Sequence, residues 1–328
     1  MLSRVAENLY WFARYVRRAE NMARLVGVGS QLQLDLPRSV KFMWQPMIET
    51  VGVAALFKTR FPDAATVPTD VDVMRFLLLD EGNPSSLRHS IDTAREMLRS
   101  IRDTLPPQLW EVLTDLHMFV ADDGEKMITR RHRVDFIAHI VDGCLKISGL
   151  VTATVSRDIG FQFMQFGTAI EQADMTTRII DAGASGLVAP RKEEDRETFR
   201  NLQWMAVLSS LAADRTYRRH VRQRVTGEHA LRFLLQSYDF PRSVYFCLTR
   251  AQRMLAAMPP RPEVEKRLAK LVEAIETADP AALVAKNPAS FMDEIQVQLG
   301  ALHVAVASGY FSVVEQAANA QQQSPAAA

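Results

Sequence analysis

Apolar side chains recur every three or four positions along most of the chain. Leu2, Val5, Leu9, Phe12, Val16, Ala19, Ala23 and Val26 form one stripe, the period of a helix that turns one face to a core. Ser3 is placed to cap its start, and Gly27 and Gly29 to stop it. The same period returns over 40–57, 71–79, 87–105, 109–120, 134–155, 163–180, 199–213, 229–235, 244–258, 264–275 and 291–318. Most prolines fall between these runs, where a helix tolerates them: Pro62, Pro68, Pro84, Pro106, Pro107, Pro190, Pro241, Pro259, Pro260, Pro280 and Pro288. Pro46 lies inside a run, so that helix is expected to start near Trp44 or to kink there. No alternating apolar–polar run bounded by turn residues indicates a strand. The expected fold class is all-α.

The pattern also repeats on a longer scale, the first thing to test in any chain. Residues 13–27 read ARYVRRAENMARLVG and residues 167–181 read GTAIEQADMTTRIID, so that Ala19, Arg24, Leu25 and Val26 meet Ala173, Arg178, Ile179 and Ile180. The segment starting at Trp44 meets the one starting at Trp204. Arg75–Leu78 and Arg232–Leu235 are the same string, Arg-Phe-Leu-Leu. Pro84, Ser86 and Ala94 then meet Pro241, Ser243 and Ala251. Four blocks in one order, with register drifting only where loops are expected, predict two tandem helical-bundle repeats packed about a pseudo-two-fold axis. The expected boundaries are 1–158 and 159–320, with a disordered tail of Gln, Ser, Pro and Ala over 321–328.

Two polar signatures interrupt the apolar helices. The first is Arg14, Arg17, Arg18, Glu20, Asn21 and Arg24, with Glu171, Gln172, Asp174 and Arg178 as its counterpart in the second half. Spacings of three and four put several of these on shared helix faces. The plainer reading is an interhelical salt-bridge network, and the functional one is an anion- or partner-binding face between the halves. Arg17 and Glu171 occupy matching positions with opposite charge, and a direct pair between them is expected if the two helices face each other. The second signature is Asn83-Pro84-Ser85-Ser86 and Pro241-Arg242-Ser243, each at an expected helix start. Turn and cap residues account for both, while a helix N-terminus also suits a bound anion.

Composition narrows the chemistry. The 328 residues carry 39 Lys and Arg against 38 Asp and Glu, a net charge of +1, which gives no global attraction to nucleic acid or to an anionic membrane. The basic run Arg215, Arg218, Arg219, His220, Arg222 and Arg224 has Tyr217 as its lone aromatic and reads as a solvated helix end or an acidic-partner contact. The charged stretch from Ala189 to Glu197 reads as an exposed loop. Arg4, Glu7 and Arg14 break any signal-peptide pattern, and the longest clean apolar run, Val51–Phe57, falls far short of the roughly 20 residues of a membrane span. Cys144 and Cys247 sit within apolar helices as buried thiols, and a cytoplasmic location is expected. The seven histidines are scattered, with no metal-ligand spacing, and no Gly-rich phosphate loop or nucleophile elbow is present. No cofactor or metal is expected, and a catalytic role is disfavoured; the alternative is a small-molecule-binding protein or enzyme with an anion site between the two repeats, around Arg14, Arg18 and Glu171.

The opening MLSRVAENLYWFARYVRRAENMARL resembles the start of the bacterial alpha-E family, a helical domain of unknown function known for a Glu-Arg motif. The resemblance extends to Trp44, the Asn-Pro-Ser-Ser segment followed by Ala94-Arg95-Glu96, Trp110, the 167–178 helix and Pro241-Arg242-Ser243. The family's Glu-Arg pair falls on Arg17-Arg18 and on Glu171-Gln172, so each half keeps one member: Arg18 in the first and Glu171 in the second. The resemblance implies an accessory protein of a peptide- or amide-bond-forming system, with an ATP-grasp-type ligase or a transglutaminase-like protein as partner.

Overall fold

The computed structural model describes residues 3–36, 41–62, 69–184, 186–189 and 196–311. Fifteen α-helices run through them: α1 (Ser3–Asp35), α2 (Gln45–Thr50), α3 (Ala54–Arg60), α4 (Asp70–Leu78), α5 (Leu87–Arg99), α6 (Pro107–Met127), α7 (Arg133–Thr154), α8 (Ile159–Ala184), α9 (Arg196–Ser210), α10 (Asp214–Val221), α11 (Gly227–Gln236), α12 (Val244–Leu255), α13 (Pro262–Glu276), α14 (Pro280–Lys286) and α15 (Ala289–Val306). A single π turn, Ala307–Phe311, follows the last of them. The chain is all-α apart from two-residue strands β1 (Lys41–Phe42) and β2 (Val188–Ala189), which pair antiparallel. No periodicity announces that ladder, because two residues are too few to show an alternation.

The two longest helices, α1 and α8, lie against each other through the middle of the molecule. α5 and α7 flank α1, and α12 and α15 flank α8. α8 is buried on almost every side, Glu171, Thr176 and Thr177 included. A helix enclosed in this way needs an apolar surface all round, and Phe163, Phe166, Ile170, Met175 and Ile180 supply much of it.

α1 corrects one expectation. It continues through Gly27 and Gly29 to Asp35. A glycine inside a helix costs about 1 kcal/mol relative to alanine. Burying Val26 and Leu32, at 0% and 9% exposure, returns about 1.5–3 kcal/mol for each side chain, so packing outweighs the local signal. A Cβ at Gly27 would stand 3.0 Å from Ile137 of α7. Ser3 lies within α1 rather than before it.

Many other boundaries follow the sequence, but α6 runs on to Met127, past the expected end at 120, α10 and α14 lie outside every expected run, and the start of the 40–57 run is β1. Trp44 precedes α2, with Pro46 in its first turn, and Gly52 at φ +77° separates α2 from α3. The run over 87–105 divides into α5 and a short 3-10 turn, Arg102–Thr104. The run starting at Phe291 is α15 and the π turn up to Phe311, and the expected tail 321–328 lies outside the described residues, as do 190–195 of the charged loop. The basic run forms the exposed end of α10, with Tyr217 buried beneath it and Arg222 in the left-handed region at φ 54°.

α7 is long and apolar enough to cross a membrane by length and composition. Phe136, Ile140, Cys144, Ile147 and Val151 are buried where it meets α1 and α6. Its first residue, Arg133, is 1% exposed and reaches Met74 Sδ at 3.5 Å, while its Nε and Nη2 have no hydrogen-bond partner.

The approach of α1 to α8 is tightest at Gly167, where an added Cβ would stand 2.7 Å from the Tyr10 carbonyl oxygen and 3.0 Å from the Tyr10 ring. Main chain cannot rotate aside as a side chain can. Gly167→Ala is therefore expected to lower stability by about 1–3 kcal/mol, the usual cost of overpacking, despite alanine's better helix propensity. A urea midpoint equal to or above that of the wild type would contradict this account of the contact.

Candidate functional site

The polar signature of α1 meets α8 in the interior. Glu171 is fully buried, and both of its oxygens are taken: Oε2 accepts from Arg14 Nε at 2.7 Å, and Oε1 accepts from Arg18 Nε at 2.6 Å. Arg18 Nη2 adds a longer bond of 3.1 Å to Oε2. Arg14 also donates through Nη1 to the Tyr10 hydroxyl at 3.0 Å. The guanidinium of Arg14 lies over the Tyr10 and Trp11 rings, and that of Arg18 over Tyr15. Arg14 and Arg18 are one turn apart on α1, which is why both reach one carboxylate.

Glu20 is the second centre. It accepts from Arg17 Nη1 at 2.5 Å, from Arg24 Nε at 2.9 Å, and from Arg242 Nη2. Arg17, Glu20 and Arg24 are spaced three and four apart on one face of α1, whereas Arg242 arrives from the segment before α12. Arg242 Nη1 also donates to Asn21 Oδ1 and Gln172 Oε1, each at 3.2 Å, and Asn21 Nδ2 reaches Gln172 Oε1 at 3.4 Å. Gln172 donates in turn to Thr176, whose hydroxyl donates to the Arg242 carbonyl. The expected pair between Arg17 and Glu171 does not form: Arg17 turns to Glu20 on its own helix, and Arg14 and Arg18 occupy Glu171.

Arg178 stands apart from both centres. It pairs with Asp174 at 2.8 Å and donates to the Thr50 carbonyl at 2.8 Å, tying α8 to α2. In the two helix-start segments the serines and Asn83 serve nearby backbone, while Arg242 reaches Glu20. Ser86 and Ser243 cap α5 and α12 by accepting from His89 N at 3.0 Å and Phe246 N at 3.1 Å. Buried Asn83 accepts from Ser85 N and donates to the Phe76 carbonyl, each at 2.9 Å. A small cavity of about 140 Å³ beside them is lined by Arg18, Ser85, Asp174 and Arg178, among others.

The electrostatics follow from this geometry. Burial alone would raise both glutamates, but the arginines overcome it. Arg18 and Arg14 hold Glu171 well below the usual carboxylate range, and Arg17, Arg242 and Arg24 bring Glu20 to about 2. A carboxylate so acidic, with its oxygens already bonded, is a poor proton acceptor near neutrality. His303 of α15 lies parallel to Tyr10, with Nδ1 3.2 Å from its hydroxyl. Burial, and then Arg14, lower this imidazole to about 4.

Arg18 of α1 and Glu171 of α8 thus bond to each other across the seam. A family model described as a predicted alpha-helical domain with a conserved ER motif matches residues 1–311. The chain belongs to the Alpha-E family. Uncharacterised proteins of Mycobacterium bovis and of Mycobacterium tuberculosis strain CDC 1551 are each 26% identical to it over 271 residues. An uncharacterised protein of M. tuberculosis strain H37Rv is 25% identical over the same length. Each match takes in 78% of this chain but 30% of the relative, so the chain spans under a third of the length of these relatives. No solved structure matches.

The sequence pattern does not single out Arg133, Arg250 and His303 of this Alpha-E chain. Each is one polar residue in an otherwise ordinary helical stretch, and nothing local marks it as inward-facing. Arg250 donates to buried Gln165 of α8.

Glu171→Gln leaves the Arg14 guanidinium buried without its counter-ion, and a loss of about 3–5 kcal/mol is expected in chemical denaturation. Arg75→Gln, which breaks exposed pairs with Asp72 and Glu125, is expected to cost no more than about 1 kcal/mol. Equal effects from the two variants would refute the distinction drawn between them.

Stability should also fall on the acid side in two stages. Unfolded His303, with its ordinary value of 6.5, takes a proton before the folded form does at about 4, so stability declines from pH 6.5 toward 4. The glutamates give a second decline as pH falls from their ordinary 4.5 toward 2. Urea midpoints across pH should show both stages in the wild type and only the lower one in His303→Gln.

Proposed function

We propose that this Alpha-E chain is a non-catalytic helical partner protein acting in the cytoplasm. Its two halves are copies of one unit, and the polar seam between α1 and α8 clamps them together. The partner is an ATP-grasp-type ligase or a transglutaminase-like protein of an amide-bond-forming system. The observation that carries this reading is that both seam carboxylates, Glu171 and Glu20, are taken up by arginines of the protein itself. Arg14, Arg18, Glu20, Asn21, Arg24, Glu171 and Arg242 are bonded among themselves, and the Glu20 carboxyl is too acidic for proton transfer near neutrality. In the mycobacterial relatives the matching region is 30% of a longer chain, which supports a unit that works beside another.

The copy relation is supported by placement. α1 and α8, aligned by sequence, lie against each other, and the strands that follow them pair antiparallel, Lys41 with Ala189 and Phe42 with Val188. Two equivalent segments related by a two-fold axis meet in that way.

The test is reconstitution with a candidate ligase and a transglutaminase-like protein from the same genome. A stable complex in size-exclusion chromatography with light scattering is expected with one of them, together with about tenfold faster product formation, equivalent to about 1.4 kcal/mol. The chain alone should release no ADP or phosphate from ATP. No complex with either protein at tens of micromolar, or ATP turnover by the chain alone, would overturn the reading.

A further inference from the structure

Beside the Glu20 centre a cavity of about 200 Å³ opens between α7, α8 and α12, and Arg17, Arg242 and Arg250 all line it. A second cavity of about 120 Å³ shares Arg17, Thr168 and Arg250 with it, and its remaining wall holds the apolar Val16, Val151 and Met164 beside the polar Ser148, Thr152 and Gln165. No Asp or Glu lines either space among the described residues.

The charge here does not balance. Glu20 is one carboxylate shared by Arg17, Arg24 and Arg242, and Arg250 is bonded to a neutral amide, Gln165. Cys247 also lines the larger cavity, but burial pushes its thiol up to about 12, so it stays neutral and offers no counter-charge. Arg17 Nε is buried without a hydrogen-bond partner. Burial lowers the affinity of both Arg17 and Arg250 for their protons, the mark of cations removed from water without full compensation. Arg242 immediately precedes Ser243, the N-cap of α12, whose positive end adds to the same field. Buried cations in excess beside an open space favour an anion in that space.

We infer that this crevice is a binding site for a small phosphate dianion, either inorganic phosphate or the phosphate of a phosphomonoester whose remainder enters the second cavity. Two considerations favour phosphate over a carboxylate. Three arginines line the space, and a tetrahedral dianion presents enough oxygens to meet donors from more than one of them. A single negative charge would also leave most of the excess uncompensated. The site shares Arg17 and Arg242 with the Glu20 centre but is separable from the partner role proposed above, because it also needs Arg250, which takes no part in the Glu171 and Glu20 ion pairs.

The test is calorimetric titration and thermal denaturation of the full chain with inorganic phosphate, at ionic strength held constant with sodium chloride. One saturable site per chain is expected, with Kd below about 1 mM and a rise in Tm that chloride does not reproduce. Arg250→Gln should weaken binding at least tenfold. Leu145→Trp, at the partly exposed mouth, should block the site without removing any charge, and it decides the matter if the arginine variant fails to fold. O-phosphoserine binding more tightly than phosphate assigns the site to a phosphomonoester, and the reverse order assigns it to the free ion. Acetate binding as well as phosphate, no effect of phosphate beyond that of chloride, or unchanged binding in folded Arg250→Gln and Leu145→Trp would overturn the inference.

Discussion

The Glu171 carboxylate, sealed between Arg14 and Arg18 where α8 crosses α1, is the constraint on which the rest of the molecule depends. Removing such an ion from water costs on the order of several kcal/mol, and only close, well-directed partners return it. Both oxygens are bonded at 2.7 Å or less, so the register of α1 against α8 is fixed to within a fraction of a turn. Gly167 lets the backbones come near enough for those bonds to form. Tyr10, held by the Arg14 guanidinium, carries the constraint outward to His303 and so to α15.

The Glu20 centre extends the same logic with a different balance. Glu171 has two arginines, both over aromatic faces that also favour a cation. Glu20 has three, drawn from α1 and from the turn before α12. One carboxylate cannot neutralise them, and the excess faces the crevice where Arg250 also arrives. The seam thus serves two purposes with one set of residues. Its ion pairs fix α1 against α8, and the arginine excess at Glu20 faces the neighbouring space.

Much of this is legible in the chain itself. The cluster Arg14, Arg17, Arg18, Glu20, Asn21 and Arg24 and its counterpart at Glu171 stand out because charge on an apolar helix is uncommon and needs a partner. The caps Ser86 and Ser243 are legible because capping is local chemistry. The partner of each charge is not. Arg17 and Glu171 occupy matching positions, yet the pair that forms is Arg18 with Glu171, because which face of α1 meets α8 is set by packing around Gly167. Arg250 gives no signal at all, since its importance lies in what α8 and the 241–243 turn place near it.

The sequence alone determined the helical class, most helix boundaries, the caps and the membership of a polar cluster, since each rests on contacts within a few residues. Tertiary structure alone decided that α1 runs on through Gly27 and Gly29, that Glu171 binds two arginines from one helix, and that three others gather beside a cavity. Those outcomes depend on burial and on distances between residues far apart in the chain, and a helical period carries no information about either.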